Sequence, residues 1–235
     1  MDNRLMSLLK KIPQGKGIID VGTDHGYIPV YLASNGYPGN IIASDINFSP
    51  LKTGMFNAKV AGVEGKINFI HCNGLEKCPN RDIDTILIAG MGGDTICGIL
   101  DRDEWVMDDA YLLILQPMSK AEVLRYWLVN NGFEIKSEDL CEEGGRIYQI
   151  ITSRFGGFTE LNDAELFIGK YEKICTSPWF YTKLLKLIKS TQKSISGLDC
   201  SSGVDMLTRK KLMEEIYGQL IEMKTKYTEK EYACN

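Results

Sequence analysis

Hydrophobic positions in the first 155 residues follow two alternating patterns. Short continuous runs rich in Ile, Val and Leu alternate with longer segments whose apolar residues recur at helical spacing. The continuous runs are predicted strands: Gly17–Val21, Asn40–Asp45, Lys66–His71, Ile83–Ala89 and Ala110–Gln116. The predicted helices between them are Tyr27–Asn35, Pro50–Ala61, Thr95–Leu100 and Ser119–Asn131. This alternation predicts an α/β fold, with a doubly wound, mostly parallel sheet covered on both faces.

The pattern changes after Asn131. Two extended runs, Phe133–Cys141 and Arg146–Ser153, follow one another without an intervening helix, and Glu142–Gly145 joins them. Such a pair predicts an antiparallel hairpin, which would complete a seven-stranded sheet.

From Asn162 nearly to its end the chain has a helical pattern. Three apolar stripes recur there at helical spacing. Their members are Phe167, Tyr171 and Ile174; Leu184, Leu187, Ile188, Thr191 and Ile195; and Leu212, Ile216, Leu220, Met223 and Tyr227. The Ser- and Gly-rich segment 197–203 predicts a turn between two antiparallel helices. We therefore expect a catalytic domain over residues 1–157 and a coiled-coil-like helical hairpin over residues 158–235.

Composition is that of an ordinary globular protein, with 44% hydrophobic and 25% charged residues. No apolar run reaches the roughly 18–20 residues that a membrane span needs, and the first residues lack the apolar core of a signal peptide. We expect a cytoplasmic protein with no membrane partner. The seven cysteines contain no C-x-x-C pair. Because Cys72 and Cys78, with His71, lack a second ligand pair, we expect reduced thiols and no metal.

Charge is distributed unevenly along the chain. Its net value is −4, which argues against a protein that coats nucleic acid. Residues 160–235 carry a net charge of +1, whereas residues 1–159 carry −5. Four lysines recur at helical spacing on one face and form a candidate surface for the phosphates of a nucleic acid: Lys183, Lys186, Lys189 and Lys193. A solvated helix face is an equally common origin of such a stripe.

The segment from Asp20 to Gly26 carries the strongest chemical signal. A strand ends at Asp20, and a glycine-containing turn then opens a helix, an arrangement that lets a cofactor approach the backbone. The spacing resembles the acidic-x-Gly-x-Gly-x-Gly loop of S-adenosylmethionine enzymes, with Asp24 in place of the middle glycine. We predict that Asp24 faces the reacting groups, with a helix N-cap as the alternative. The loop's predicted cofactor-binding residues are Asp20, Gly22, Thr23, His25 and Gly26.

Four further strand ends supply candidate residues. After the second predicted strand, Asp45 can accept hydrogen bonds from both ribose hydroxyls, beside Ile46. Asn73, before Gly74, can accept from an adenine amine or can simply be a turn residue. The glycines around Met91 predict a close approach to a flat group. Gln116 can bind a base edge or cap backbone groups. The predicted cofactor-binding residues here are Asp45, Ile46, Asn73, Gly74, Gly90, Met91 and Gly92, and Gln116 joins Asp24 as a catalytic candidate.

Four motifs together resemble the bacterial tRNA (adenine-22-N1)-methyltransferase family over almost the whole chain. They are Asp-Val-Gly-Thr-Asp-His-Gly (20–26), Ser-Asp-Ile-Asn (44–47), Ile-Ala-Gly-Met-Gly-Gly (88–93) and Leu-Gln-Pro-Met (115–118). The resemblance implies an S-adenosylmethionine cofactor, a tRNA substrate methylated at N1 of adenine 22, and a catalytic or substrate-facing Asp24. Five parallel strands followed by a hairpin are also typical of the methyltransferase form of this sheet. The sequence departs from the family at Asn73, where Asp is more common, and at Met118, where we expect a polar residue.

Three alternatives stay open. A nucleotide-dependent oxidoreductase uses a related sheet, but the glycine spacing and the terminal hairpin favour the methyltransferase. A non-catalytic RNA-binding or dimerising protein with a vestigial pocket would explain Asn73. A methyltransferase with another acceptor is the third. The sequence does not determine the oligomeric state, and we expect a monomer.

Overall fold

The computed structural model describes residues 2–198 and 204–233, and seven strands within these ranges form one sheet in the order β3-β2-β1-β4-β5-β7-β6. The strands are β1 (Gly17–Val21), β2 (Asn40–Asp45), β3 (Ile67–His71), β4 (Thr85–Gly92), β5 (Leu112–Ser119), β6 (Phe133–Glu143) and β7 (Arg146–Phe155). Neighbouring strands from β3 to β5 are parallel, and β5 pairs with β7 in the antiparallel direction. The predicted mostly parallel, doubly wound sheet with a terminal hairpin is confirmed.

Nine α-helices accompany the sheet in the described ranges. They are α1 (Asn3–Leu9), α2 (Tyr27–Ser34), α3 (Phe48–Val60), α4 (Gly93–Arg102), α5 (Ala121–Asn130), α6 (Asp163–Ile168), α7 (Tyr171–Ile174), α8 (Phe180–Leu198) and α9 (Val204–Ala233). None of these helices is long and apolar enough to cross a membrane. The four helices predicted between the strands are all present, within about two residues of their expected ends, as is usual for pattern-based bounds.

The centre of the sheet is buried on both faces. Ile18, Ile86 and Leu113, on three adjacent strands, expose none of their surface, which is why these strands have continuous rather than alternating apolar residues. Three of the crossover helices, α2, α3 and α5, end two residues before a glycine in the left-handed conformation: Gly36, Gly62 and Gly132. In this part of the chain, the buried strands and the left-handed glycines therefore both fit the alternation of strands and helices that the sequence predicts.

Three predicted features need correction. The sequence pattern did not reveal α1, which is only seven residues long and begins where the Asp2 carboxylate accepts from Leu5 N at 2.7 Å. The strands β4 and β5 begin about two residues later than predicted and continue as far as Gly92 and Ser119. The stripe of Phe167, Tyr171 and Ile174 is divided between two helices, because Gly169 has φ 113° and ends α6.

The chain consists of two compact units, each with most of its contacts within itself. One comprises residues 1–137 and 141–159, and the other comprises residues 138–140 and 160–235. The second unit contains α6 to α9. Its packing includes a capping box between Asn162 and Glu165, a bond from Ala164 N to Gln219 Oε1 of 2.9 Å, and stacked rings of Tyr181 and Tyr227. The predicted turn between α8 and α9 falls largely on residues 199–203, outside the described residues.

Candidate functional site

A cleft of about 880 Å³ lies at the carboxyl ends of the parallel strands, within the first unit. Open α/β sheets bind ligands at this edge, because the strand order reverses there and the loops diverge. In this chain the reversal lies between β1 and β4. Ten predicted site residues line the cleft: Asp20, Gly22, Thr23, Asp24, Asp45, Ile46, Asn73, Gly74, Gly90 and Met91.

The loop after β1 is held against the end of β2. The backbone N–H groups of Gly22 and Thr23 both donate to Ser44 O, at 2.8 and 2.9 Å. Gly22 has φ 69°, and a Cβ at this position would lie 2.1 Å from Met91 Cε. The left-handed backbone favours glycine here, and a larger residue would also displace the flexible end of the Met91 side chain.

Asp45 is buried, and the loop after β1 aims its carboxylate. Asn47 N donates to Oδ1 at 2.8 Å, and Asp24 N donates to Oδ2 at 3.2 Å. Each oxygen keeps a further lone pair for a ligand. This arrangement suits a pair of neighbouring hydroxyl groups, such as those of a ribose.

Asp20 is almost completely buried beneath the same loop. Burial raises the pKa of its carboxyl group to about 6, the hydroxyl of Thr23 lowers this pKa by donating at 2.7 Å, and the charge of Asp45 raises it. A cation placed in the cleft near Asp20 would favour the ionised form. The residue is therefore suited to a positively charged group of a ligand.

Asp24 is the exposed carboxylate of the loop. Its side chain is 65% exposed, and its backbone has φ 54°. The N-cap position of α2 is occupied by Gly26, with no side-chain cap, so the alternative role of Asp24 as a helix cap is wrong. A non-glycine residue held in the left-handed region beside a cleft is a feature that often accompanies function.

Asn73 belongs to a polar chain on the cleft wall. Arg102 Nη2 donates to its Oδ1 at 3.3 Å, and its Nδ2 donates to Glu76 Oε1 at 3.2 Å. Because arginine only donates and a carboxylate only accepts, these two neighbours determine the orientation of the amide. Its oxygen therefore faces Arg102, with a second lone pair available.

Gln116 does not line the cleft, which favours its alternative role of bonding backbone groups over direct contact with the reacting base. Its side chain is fully buried, and its Oε1 accepts from Arg4 Nη1 at 3.0 Å and from Gly90 N at 3.3 Å. The guanidinium of Arg4, which does line the cleft, also lies 5.9 Å from the ring centre of Tyr148. Gln116 is thus a positioning residue, which holds a cation and the loop after β4.

Three further predicted residues lie outside the cleft lining. His25 has its ring 5.6 Å from that of Tyr27, and Gly26 packs against Gly54. Gly92 caps α4 without a side-chain bond and lies against Ser119. Gly93, expected to admit a flat group, instead faces Lys120 O, which a Cβ would approach to 2.1 Å. These glycines serve close packing of backbone segments.

Several cleft residues were not predicted from the sequence. Arg4, Glu143 and Tyr148 reach the cleft from α1 and from the terminal hairpin, far from the four motifs. Asp94 and Arg102 come from the two ends of α4, and Asp94 forms an ion pair with Lys120. The position of Asp94 directly after the glycines of β4 was the available sequence signal for it, whereas none pointed to the other four.

The four predicted tRNA-binding lysines belong to the second unit and all lie on α8. Lys186, Lys189 and Lys193 are exposed and Lys183 is half-buried. The buried residues of α8 are Phe180, Leu184 and Thr191, on the opposite side of the helix.

The sheet order and the cleft define a class I, Rossmann-like methyltransferase domain. The model of the methyltransferase domain family matches residues 1–151. The tRNA (adenine(22)-N(1))-methyltransferase of Bacillus subtilis is 31% identical over 156 residues, 66% of this chain and 66% of the relative. This chain therefore belongs to the methyltransferase domain family, and it is similar to the tRNA (adenine(22)-N(1))-methyltransferase of B. subtilis. Its alignments span just under two thirds of the first two curated relatives, at 66% and 61%.

Solved structures extend the similarity to the full chain. Streptococcus pneumoniae Sp1610, assigned as a tRNA (m1A22) methyltransferase, is 28% identical with a TM-score of 0.82, over 95% of this chain and 99% of that one. The M. capricolum TrmK structure, which contains S-adenosylhomocysteine, is 26% identical with a TM-score of 0.77, over 97% and 98% of the two chains.

Proposed function

We propose that this chain transfers the methyl group of S-adenosylmethionine to N1 of adenine 22 in tRNA. The observation that carries the proposal is the cleft, in which Asp20, Asp24 and Asp45 converge from the ends of β1 and β2. The full-length similarity to Sp1610 supports it, since that protein has also been solved in complex with S-adenosyl-L-methionine.

The donor set of the cleft fits this cofactor. Asp45 would accept from the ribose hydroxyls, and Asn73 with Gly74 would lie beside the adenine. The amino-acid end carries an ammonium and a carboxylate, and two residues of opposite charge, Asp20 and Arg4, line the same cleft. When bound, the cofactor supplies a methyl group activated by a sulfonium.

The charge of the cleft supports a cationic ligand. Its lining in the described residues contains six carboxylates and two guanidinium groups. The carboxylates belong to Asp2, Asp20, Asp24, Asp45, Asp94 and Glu143, and the guanidinium groups belong to Arg4 and Arg102. S-adenosylmethionine carries a net positive charge, which is lost when its methyl group leaves. The excess of carboxylates in the cleft therefore favours binding of the cofactor over binding of its product.

No strong base is required for the reaction. Adenine N1 carries a lone pair, so the chain must align that atom with the methyl group, at about 3–3.5 Å for a near-attack geometry, and exclude water. Methylation leaves a positive charge on the base. The exposed carboxylate of Asp24 would stabilise that charge electrostatically.

The lysine face of α8 would bind the tRNA backbone. N1 lies on the pairing edge of the base, so a folded RNA must present adenine 22 unpaired, at a cost of about a few kcal/mol. Phosphate contacts by Lys183, Lys186, Lys189 and Lys193 would offset part of this cost. We further propose that the chain acts on tRNA in the cytoplasm, as a monomer and without a metal.

The test is transfer of labelled methyl from S-adenosylmethionine to unmodified bacterial tRNA, followed by nucleoside analysis. We expect label in N1-methyladenosine, and no label when position 22 is changed to guanine. Label in another nucleoside would redirect the proposal to a different acceptor, and absence of both transfer and cofactor binding would refute it.

A further inference from the structure

The outer face of α3 carries large apolar side chains that nothing in the first unit covers. Phe48 is 51% exposed, Phe56 is 63% exposed and Val60 is 72% exposed. They are separated by eight and by four residues, multiples of the i to i+4 spacing, and therefore lie on one side of the helix. Leu51, Gly54 and Ala58, on the opposite side, are buried. An exposed apolar face of this kind commonly marks an interaction surface.

Lysines alternate with the rings on this face. Lys52 and Lys59 are exposed, and Lys52 Nζ lies 5.9 Å from the ring centre of Phe48. The helix contains no Asp or Glu between Phe48 and Val60. This absence contrasts with the net charge of −5 over residues 1–159. The α3 face thus combines apolar rings with uncompensated positive charge in an otherwise acidic unit.

The α3 face is continuous with the rim of the cleft. Ile46, Asn47 and Pro50 line the cleft, and they lie immediately before α3 or within its first turn. Phe48, placed between them, also makes an edge contact with the ring of His71, 5.7 Å away. A large ligand held at the cleft can therefore extend along α3 without a break in the surface.

We propose that the α3 face, comprising Phe48, Lys52, Phe56, Lys59 and Val60, is a second RNA-binding surface of this chain. Exposed rings stack on unpaired bases, which offer an aromatic face whatever their identity, and lysines contact the adjoining phosphates. The face would hold unpaired nucleotides of the same RNA whose target base enters the cleft. The inference rests on the proposed function, because the RNA is the tRNA substrate named there.

Two double variants test the face without changing the cleft: Phe56→Ser with Val60→Ser, and Lys52→Glu with Lys59→Glu. The matched controls are Tyr126→Ser, a ring 61% exposed on α5, and Lys77→Glu, an exposed lysine outside α3. The readouts are the tRNA Kd measured without cofactor, the KM for tRNA, kcat at saturating tRNA, and the Kd for S-adenosylmethionine by calorimetry.

We expect each double variant to raise the tRNA Kd and KM by about tenfold or more, since base stacking and phosphate contacts contribute at that scale. Cofactor Kd and kcat should stay within about twofold of the wild type, as should all values for the controls. Variants that bind and methylate tRNA like the wild type would overturn the inference while leaving the proposed function intact. A wild-type chain that neither binds nor methylates tRNA would instead refute the proposed function.

Self-association is the competing use of an apolar face. Sedimentation velocity on the wild type and on the Phe56→Ser, Val60→Ser variant separates the two. A wild-type dimer that the variant dissociates, with tRNA affinity unchanged, would assign the face to a second copy of the chain and overturn RNA binding. Slower amide exchange over residues 48–60 when tRNA is added would support the inference.

Discussion

Three aspartates of this cleft have different surroundings, and these surroundings determine the role of each. Asp20 is buried with a raised pKa, Asp45 is buried but accepts two backbone N–H bonds, and Asp24 is exposed in a left-handed turn. The three therefore suit different tasks: a site for a cation, an acceptor for hydroxyls, and a carboxylate that faces the reacting base.

Asp24→Asn should reduce kcat by about 100-fold or more, since removing one preorganised electrostatic contact costs about 10²–10³ in rate. Asparagine tolerates the left-handed backbone, so the loop should keep its shape. Cofactor Kd by calorimetry should therefore change little. Asp82→Asn is the matched control, because Asp82 also has positive φ, at 60°, but lies outside the cleft. Near-normal turnover by the Asp24 variant would contradict its role.

Asp20 should make the cofactor-free protein more stable in mild acid than at neutral pH. Its folded pKa of about 6 lies above the usual aspartate value of 3.8. The folded state therefore binds the proton more tightly, and this stabilisation is lost as pH rises from about 4 through 6. The stability of the wild type relative to Asp20→Asn should fall by about 2 kcal/mol between pH 4 and 7. Urea unfolding of both proteins across this range measures it, and parallel profiles would contradict the shift.

At the scale of elements, loops at strand ends carry the predicted cofactor contacts and helices carry the predicted RNA contacts. The loop after β1 is held by bonds to Ser44 O and by the approach of Met91 to Gly22. On α8, by contrast, Lys186, Lys189 and Lys193 are exposed along one face of the helix. A loop held by backbone bonds suits orientation of a small ligand, whereas a row of exposed lysines suits the phosphate backbone, whose charge is sequence-independent.

Charge reversal on α8 should weaken tRNA binding and reduce its salt dependence. For Lys186→Glu with Lys189→Glu, the slope of log Kd against log salt should fall by about 1.4–1.8, because each lost phosphate contact removes about 0.7–0.9. The control pair, Lys211→Glu with Lys230→Glu on α9, makes the same change in net charge. Anisotropy titrations with labelled tRNA at four salt concentrations give the slopes. Equal slopes for the α8 pair and the wild type would mean that this face is merely solvated.

At the scale of the whole molecule, the cleft is built entirely by residues of the first unit, whereas the α8 lysines belong to the second. Each unit has its own buried residues, such as Ile86 in the first and Phe180 and Leu220 in the second. In these proposals the cofactor site belongs to the first unit and the α8 lysines belong to the second, so substitutions on α8 should weaken tRNA binding without changing cofactor binding.

S-adenosylmethionine should protect the first unit selectively. At 100 times Kd the ligand stabilises the state that binds it by about 2.7 kcal/mol. In amide exchange we expect slower exchange over residues 20–26, 44–47, 73–74 and 89–92, with α8 unchanged. S-adenosylhomocysteine is the control ligand and should protect the same segments less at equal concentration, because it lacks the sulfonium charge. Equal protection across α8 would contradict the assignment of the ligand to the first unit.

The sequence by itself determined the sheet, the crossover helices and the loop residues at the ends of β1 to β4, because each depends on local properties. Apolar runs specify buried strands, glycine specifies positive φ, and parallel strands bring their carboxyl ends to one edge. Ten of the predicted cofactor or catalytic residues accordingly meet in one cleft. No comparable local signal distinguishes His25 or Gly92, which share a motif with cleft residues but do not line the cleft themselves.

Only the tertiary structure decided which distant side chains complete the cleft. Arg4 and Tyr148 are separated by most of the first unit along the chain, yet the guanidinium lies over the ring and bonds to buried Gln116. The strand-end position of Gln116 allowed either a base contact or a backbone contact, and packing selected the second. Likewise, the local sequence does not distinguish the exposed rings of α3 from rings that are buried. Burial depends on which elements meet, and this is a property of the folded chain rather than of any local segment.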